Sequence, residues 1–269
     1  PEIDYTTLAR QTAGLTGADL ANICNEAAIN AARHSSLQIT IGDFDFALER
    51  VMAGMQSRRT LTEHERRVVA YHESGHALCA ELLPSVDPVH RISIVPRGNA
   101  LGYTMNLPEE DRYLKTREEL IELMTMVLGG RAAEQLVFGA ITTGAADDLH
   151  RVADIANSMI HDFAMGTGFT SLRLATPDVS DSTRRQVDDE VRELADQALR
   201  GALAIIDAHR PQLDELAATL LAKEVIERVD IQRIMGSVPG SRSARRSQGQ
   251  IGLAAATAVD PAHPRTPRR

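Results

Sequence analysis

The segment Tyr71-His72-Glu73-Ser74-Gly75-His76 sets two histidines four residues apart, with a glutamate directly after the first. Residues four apart share one face of a helix, so both imidazoles can reach a single metal ion at about 2.0–2.1 Å. Glu73, one step round the helix from His72, is placed to hold a water at that metal and take its proton. The chemistry this spacing suits is zinc-assisted hydrolysis. The bland alternative is a surface helix with two unconnected histidines. The apolar residues around the motif argue against it, and Gly75 and Ala77 leave room for another element to approach closely.

A hydrolytic zinc site needs a third protein ligand and an open position for water. No third histidine follows at short spacing, so the ligand must come from farther along the chain. Asp147, Asp148, His150, Glu134 and Glu81 are the candidates, and spacing does not choose among them.

The elements that must hold these residues are mostly helical. Thr62 and Glu65 have capping-box spacing, and a helix from there carries Val68, Val69, His72 and His76 to Leu83, where Pro84 stops it. Arg91 to Val95 is β-branched and partly alternating, Pro96 to Asn99 is turn-like, and Leu101 to Met105 can return, which predicts a β-hairpin. Helical spacing resumes from Thr116 to Phe138, interrupted at Gly129-Gly130. It resumes again from about Ala145 to Ala164, where Leu149, Val152, Ile155, Met159 and Phe163 form the expected apolar stripe. Two further helices are expected, Ser182 to about His209 and Leu213 to Leu221, with Pro211 marking the break.

Before the motif, Asp4 to about Arg59 reads as a small helical unit. Thr16 caps a helix bearing Leu20, Ile23, Cys24, Ala27, Ala28 and Ala31, Thr40 caps a second, and Ser57-Arg58-Arg59 is a linker. From Gly236 the chain turns rich in Gly, Ser, Pro, Ala and Arg, which predicts a disordered, solvated basic tail.

Composition removes several functions. The net charge of -8 argues against a nucleic-acid surface, and no apolar run reaches the ~18 residues of a membrane span, so this stretch is expected to be soluble. The two cysteines, Cys24 and Cys79, cannot build a disulfide framework or a Cys-rich zinc site, which fits a reducing compartment. Cys79 reads as a small buried apolar residue. Lys115 and Lys223 are the only lysines and neither follows a glycine, so no phosphate-binding P-loop is present. With 3% aromatics and no tryptophan, the core must be aliphatic and Ala-rich, which favours packed helices over a β-sandwich.

The metal motif is followed in order by Asp87-Pro88-Val89-His90-Arg91-Ile92, by the run from Val95 to Gly102, by Gly129-Gly130-Arg131-Ala132-Ala133-Glu134 and by the run from Thr143 to Leu149. These five blocks resemble the FtsH family of membrane-anchored, ATP-dependent zinc metalloproteases. Upstream, Gly14 to Leu20 and Asn25-Glu26-Ala27-Ala28 look like the helical lid of that family's AAA module. Three departures stand out: Ser74 where alanine is usual, Ala146-Asp147 where Ser-Asn is usual, and a weak match after Phe169.

The resemblance implies a mainly α fold, a helical zincin-type metalloprotease domain with a small β-hairpin or sheet, preceded by the lid. The expected boundaries are 1–58 for the lid, 59–236 for the peptidase domain and 237–269 for the tail. It implies that His72, His76 and Asp148 hold one zinc per chain, that Glu73 is the general base, and that Gly17 and Ala18 contact nucleotide when the ATPase core is present. Periodicity leans the same way on Asp148, which adjoins Leu149 at the edge of the expected stripe, whereas Asp147 lies a step farther off. Further implications are polypeptide substrates, a homohexamer, ATP used only by the full-length parent, and attachment to a bacterial-type inner membrane through segments outside this sequence, with this part on the cytoplasmic side. Strand addition of substrate along Arg91 to Val95 is expected as readily as a plain scaffold role for that strand. Two other readings stay open: a stand-alone zinc peptidase, and a non-catalytic helical interaction module with a structural metal.

Overall fold

The computed structural model describes residues 3–52, 54, 60–98, 100–108, 112, 114–168, 170–171, 179–236 and 238. The expected linker Ser57-Arg58-Arg59 and, apart from Val238, the expected tail 237–269 lie outside them. The first unit is α1 (Tyr5–Gln11), α2 (Gly17–Arg33) and α3 (Ile41–Met52). Thr16 and Asp19 cap α2 reciprocally, each side chain taking the other's backbone N–H, which satisfies two donors that a helix start leaves open. This unit has its own small core of Ile23, Ala27, Phe44, Ala47 and Leu48. The expected stripe on α2 is rotated: Leu20 is 40% exposed and Cys24 is exposed, while Asn30 is buried and donates to Asp43 at 2.8 Å.

The rest builds around α4 (Glu63–Leu82), started by the Thr62/Glu65 capping box. Every residue of α4 from Val68 to Glu81 is buried, so this helix is the axis of the second core. Around it stand α5 (Arg117–Val127), α6 (Gly129–Phe138), α7 (Ala146–His161), α8 (Asp181–Ala208) and α9 (Arg210–Lys223). The closest crossing is α4 on α6, where a Cβ on Gly75 would fall onto the Gly129 carbonyl oxygen. The two glycines bring the backbones together at the middle of the metal motif. Gly129 and Gly130 therefore open α6 after a one-residue break instead of interrupting a single helix. Pro211 sits in the first turn of α9, where its missing N–H costs nothing, so it begins that helix and does not separate it from α8.

The hairpin forms from β1 (Val89–Ser93) and β2 (Tyr103–Asn106), antiparallel, with Ile92 opposite Thr104. A third strand, β3 (Val225–Glu227), which leads into α10 (Arg228–Met235), pairs with the other side of β1 and puts Ile226 opposite Ile92. The sheet order is β2-β1-β3. This corrects the expectation for Arg91 to Val95: β1 is the central strand, its hydrogen bonds are taken on both sides, and among the described residues β2 and β3 are the outer strands. A second correction falls on α7. Its buried residues are Val152, Ala156, Met159 and Ile160, whereas Leu149 is 41% and Phe163 54% exposed. The first turn of α7 overhangs a cleft instead of packing on the core, so Leu149 is not part of the stripe.

Candidate metal centre

The helix α4 carries His72, Glu73 and His76 into a cleft of about 650 Å³ lined also by Gly102, Tyr103 and Thr104 of the hairpin and by Asp147 and Asp148 of α7. The loop from Thr142 through the 3-10 turn Thr143–Ala145 delivers α7 so that its first turn faces α4. His72 Nε2 lies 3.0 Å from His76 Nε2 and 3.1 Å from Asp148 Oδ2, and His76 Nε2 is 3.4 Å from the same oxygen. Ligands at 2.0–2.1 Å from a tetrahedral ion stand about 3.3 Å apart, close to these spacings.

The far side of each imidazole fixes what the near side offers. His76 Nδ1 lies 3.0 Å from the Met126 carbonyl oxygen, which can only accept, so the ring proton is on Nδ1. His72 Nδ1 lies 2.7 Å from Glu134 Oε1, and Glu134 is itself held ionised. Burial works to raise the Glu134 carboxyl, but hydrogen bonds from His72 and from the Thr142 N–H bring it below the usual range. With both Nδ1 atoms donating outward, the two Nε2 atoms and a carboxylate oxygen converge on one point. Burial opposes a charge on His72, yet hydrogen bonds to Asp148 and Glu134 and the nearby charge of Glu73 push its pKa up to about 10. Burial likewise opposes ionisation of Asp148, and the two imidazoles overcome it, holding that carboxyl well below its normal range. The point demands positive charge, and zinc fits both its charge and its donor set.

Glu73 stands beside this triad without joining it. Its Oε2 accepts the Thr104 hydroxyl at 2.8 Å, and Thr104 Oγ1 is 3.2 Å from the Glu73 carbonyl oxygen. Of the five candidates for the third ligand, Asp148 alone reaches the histidines as a neighbour of both. Asp147 and His150 are exposed, and Glu81 is fully buried against the Val89 N–H and Arg228. Glu134 sits behind His72, where it orients the ring. Thr104, Met126 and Thr142 carried no recognisable signal in the sequence, since a strand hydroxyl and backbone groups look the same everywhere. Gly17 and Ala18 form the exposed first turn of α2, part of the first unit and not of this cleft.

A mainly helical metallopeptidase domain of the His-Glu-x-x-His type is what this fold and cleft define. A family model described as Peptidase family M41 matches residues 59–234, and one described as AAA+ lid domain matches residues 2–46. The chain belongs to peptidase family M41. It is 42% identical to the ATP-dependent zinc metalloprotease FtsH of Pseudothermotoga lettingae over 254 residues, which is 87% of this chain and 40% of that protein. The FtsH of Ralstonia pickettii is 42% identical over 257 residues, covering 88% of this chain and 36% of its own length. That of Thermotoga maritima is 41% identical over 254 residues, 87% of this chain and 41% of its own. The chain thus spans about two fifths of the curated relatives it matches. No helix among the described residues is long and apolar enough to cross a membrane.

Proposed function

We propose that this chain is the peptide-hydrolysing part of an ATP-dependent, membrane-anchored zinc protease, with His72, His76 and Asp148 as ligands and Glu73 as general base. The observation that carries the reading is the convergence of three ligand atoms, all within 4.8 Å of one another, in the cleft that also exposes Glu73. When bound, zinc supplies Lewis acidity, which polarises a carbonyl and makes a water acidic near neutral pH. The protein's own residues do the rest. Thr104 occupies Oε2 of Glu73, so Oε1 is the atom that takes the proton of the attacking water and returns it to the departing amine. Gly102 keeps that oxygen clear, because a Cβ there would stand 2.9 Å from it.

The outer edge of β2 borders the same cleft and suits an extended polypeptide added as a further strand. Residues 1–58 serve as the AAA lid, 59–236 as the peptidase domain and 237–269 as a basic tail. The open first turn of α2 supports a nucleotide contact by Gly17 and Ala18 once an ATPase core stands beside it. ATP, the homohexamer and the attachment to a bacterial-type inner membrane, with this part on the cytoplasmic side, belong to the whole protein.

Glu73→Gln tests the reading: the variant keeps its zinc and loses at least about a thousandfold in kcat for an unstructured peptide. Chelation of the parent abolishes cleavage and zinc restores it. A Glu73→Gln variant within about tenfold of the parent would remove Glu73 from the mechanism. Zinc-loaded parent protein that cleaves no peptide would favour a structural metal.

A further inference from the structure

The first helical unit touches the peptidase sheet through a buried polar cluster that the chemistry above does not use. Helix α3 sets Asp45 and Glu49 one turn apart, a spacing at which two carboxylates repel on an isolated helix. Here both meet Arg91 of β1: Glu49 Oε1 at 2.5 Å and Asp45 Oδ2 at 3.3 Å. Arg91 also pairs with Glu227 of β3 at 2.7 Å. Glu49 accepts from Arg97 in the hairpin turn and from the Tyr103 hydroxyl of β2 at 2.7 Å. One carboxylate, 7% exposed, therefore gathers donors from β1, from the turn and from β2.

The path from this cluster to the cleft is two residues long. Successive side chains of a strand point to opposite faces, so Tyr103 reaching α3 obliges Thr104 to face α4. That is where the Thr104 hydroxyl meets Glu73. The sheet's central strand is held on both sides, but among the described residues β2 has a neighbour strand on one side only. The Tyr103–Glu49 contact ties the four-residue strand to α3, beside the bonds of Thr104 to Glu73 and of Asn106 to the Asp87 carbonyl.

We propose that Glu49 is a positioning residue for the peptidase cleft: through Tyr103 it holds β2, and with it the substrate edge and the Thr104 hydroxyl on Glu73. A displacement of the lid helix α3 is then felt at the general base without any contact between the two. The proposal rests on the assignment of Glu73 and the β2 edge given above.

The test compares zinc-loaded parent chain with Tyr103→Phe, Glu49→Gln and the double variant. Amide hydrogen exchange of residues 103–106, zinc content, and kcat and KM on an unstructured fluorogenic peptide are measured for each. Tyr103→Phe removes one hydroxyl and leaves both arginine pairs, so it tests the link even if Glu49→Gln folds poorly. The expected result is unchanged zinc, exchange of the β2 amides faster by about tenfold, and KM raised about three- to tenfold with a smaller change in kcat. The double variant should fall short of the product of the two single effects, because Tyr103→Phe deletes the bond that Glu49→Gln weakens by removing the charge of its acceptor. Unchanged exchange and KM in Tyr103→Phe, or effects that simply multiply in the double variant, would overturn the proposal. Should the parent cleave nothing, the proposed function fails on its own, while the exchange rates still decide whether Glu49 holds β2.

Discussion

Glu134 places one carboxylate oxygen 2.7 Å from His72 Nδ1 and the other 2.7 Å from the backbone nitrogen of Thr142. A single buried side chain of α6 thus sets the tautomer of one metal ligand and anchors the loop that delivers Asp148. Hydrogen-bonded carboxylates behind ligating histidines typically contribute 10–100-fold in metal affinity. Glu134→Gln should therefore weaken zinc binding by about that factor while leaving the helices intact. Competition against a chromophoric chelator, with circular dichroism as the folding control, checks it. Unchanged affinity would reduce Glu134 to a loop anchor.

Asp147 and Asp148 are neighbours with opposite prospects. Successive helical residues point about 100° apart, and only Asp148 faces the imidazoles. Asp148→Ala should lose most bound zinc and all peptide cleavage. Asp147→Ala should keep the metal and much of the activity. Metal analysis of the two purified variants decides it, and zinc loss in the Asp147 variant alone would reverse the assignment.

Zinc uptake should carry a definite proton count. In the metal-free chain the His72 pKa is raised to about 10, so the ring is protonated at neutral pH. Metal binding requires Nε2 unprotonated, and each zinc must displace that proton. Raising the pH removes the competitor, so affinity should climb about tenfold per pH unit from neutrality until His72 titrates. Calorimetry near neutral pH in buffers of differing ionisation enthalpy should find about one proton released per zinc. An affinity flat with pH would show that His72 is already neutral in the metal-free protein.

Ser74 is fully buried in the middle of α4, and its hydroxyl has no hydrogen-bond partner among the described residues. A buried unsatisfied hydroxyl costs about 1–3 kcal/mol. Ser74→Ala should raise stability by about 1 kcal/mol, seen as a higher Tm in the metal-free and the zinc-loaded protein alike. A lower Tm would mean that the hydroxyl has a partner in solution.

What could be read along the chain was whatever depends on near neighbours. The cap at Thr16 and the capping box at Thr62 are relations across three residues, and they stand as expected; that Asp19 completes a box at Thr16 is an addition of the structure. The shared face of His72 and His76 is a relation across four. The hairpin, whose two strands lie close in sequence, was legible for the same reason, and the Ala-rich composition already called for packed helices.

Tertiary packing decided the rest, because the deciding partners lie far apart in sequence. β3 is three residues long and lies between two helices, and nothing local marks it as a strand. Its pairing across more than a hundred residues turns β1 into the centre of the sheet and leaves β2 and β3 as the outer strands among the described residues. The apolar stripe drawn through Leu149 failed where α7 leaves the core to overhang the cleft. Five acidic or histidine residues were plausible third ligands by type alone. The fold sorted them by burial and direction: Asp148 toward both imidazoles, Glu134 behind one of them, Glu81 into a buried pair with Arg228, Asp147 and His150 to the surface. Helical and hairpin geometry is written in spacings of two to four residues. The approach of one element to another is settled by how whole surfaces pack, and no short spacing encodes it.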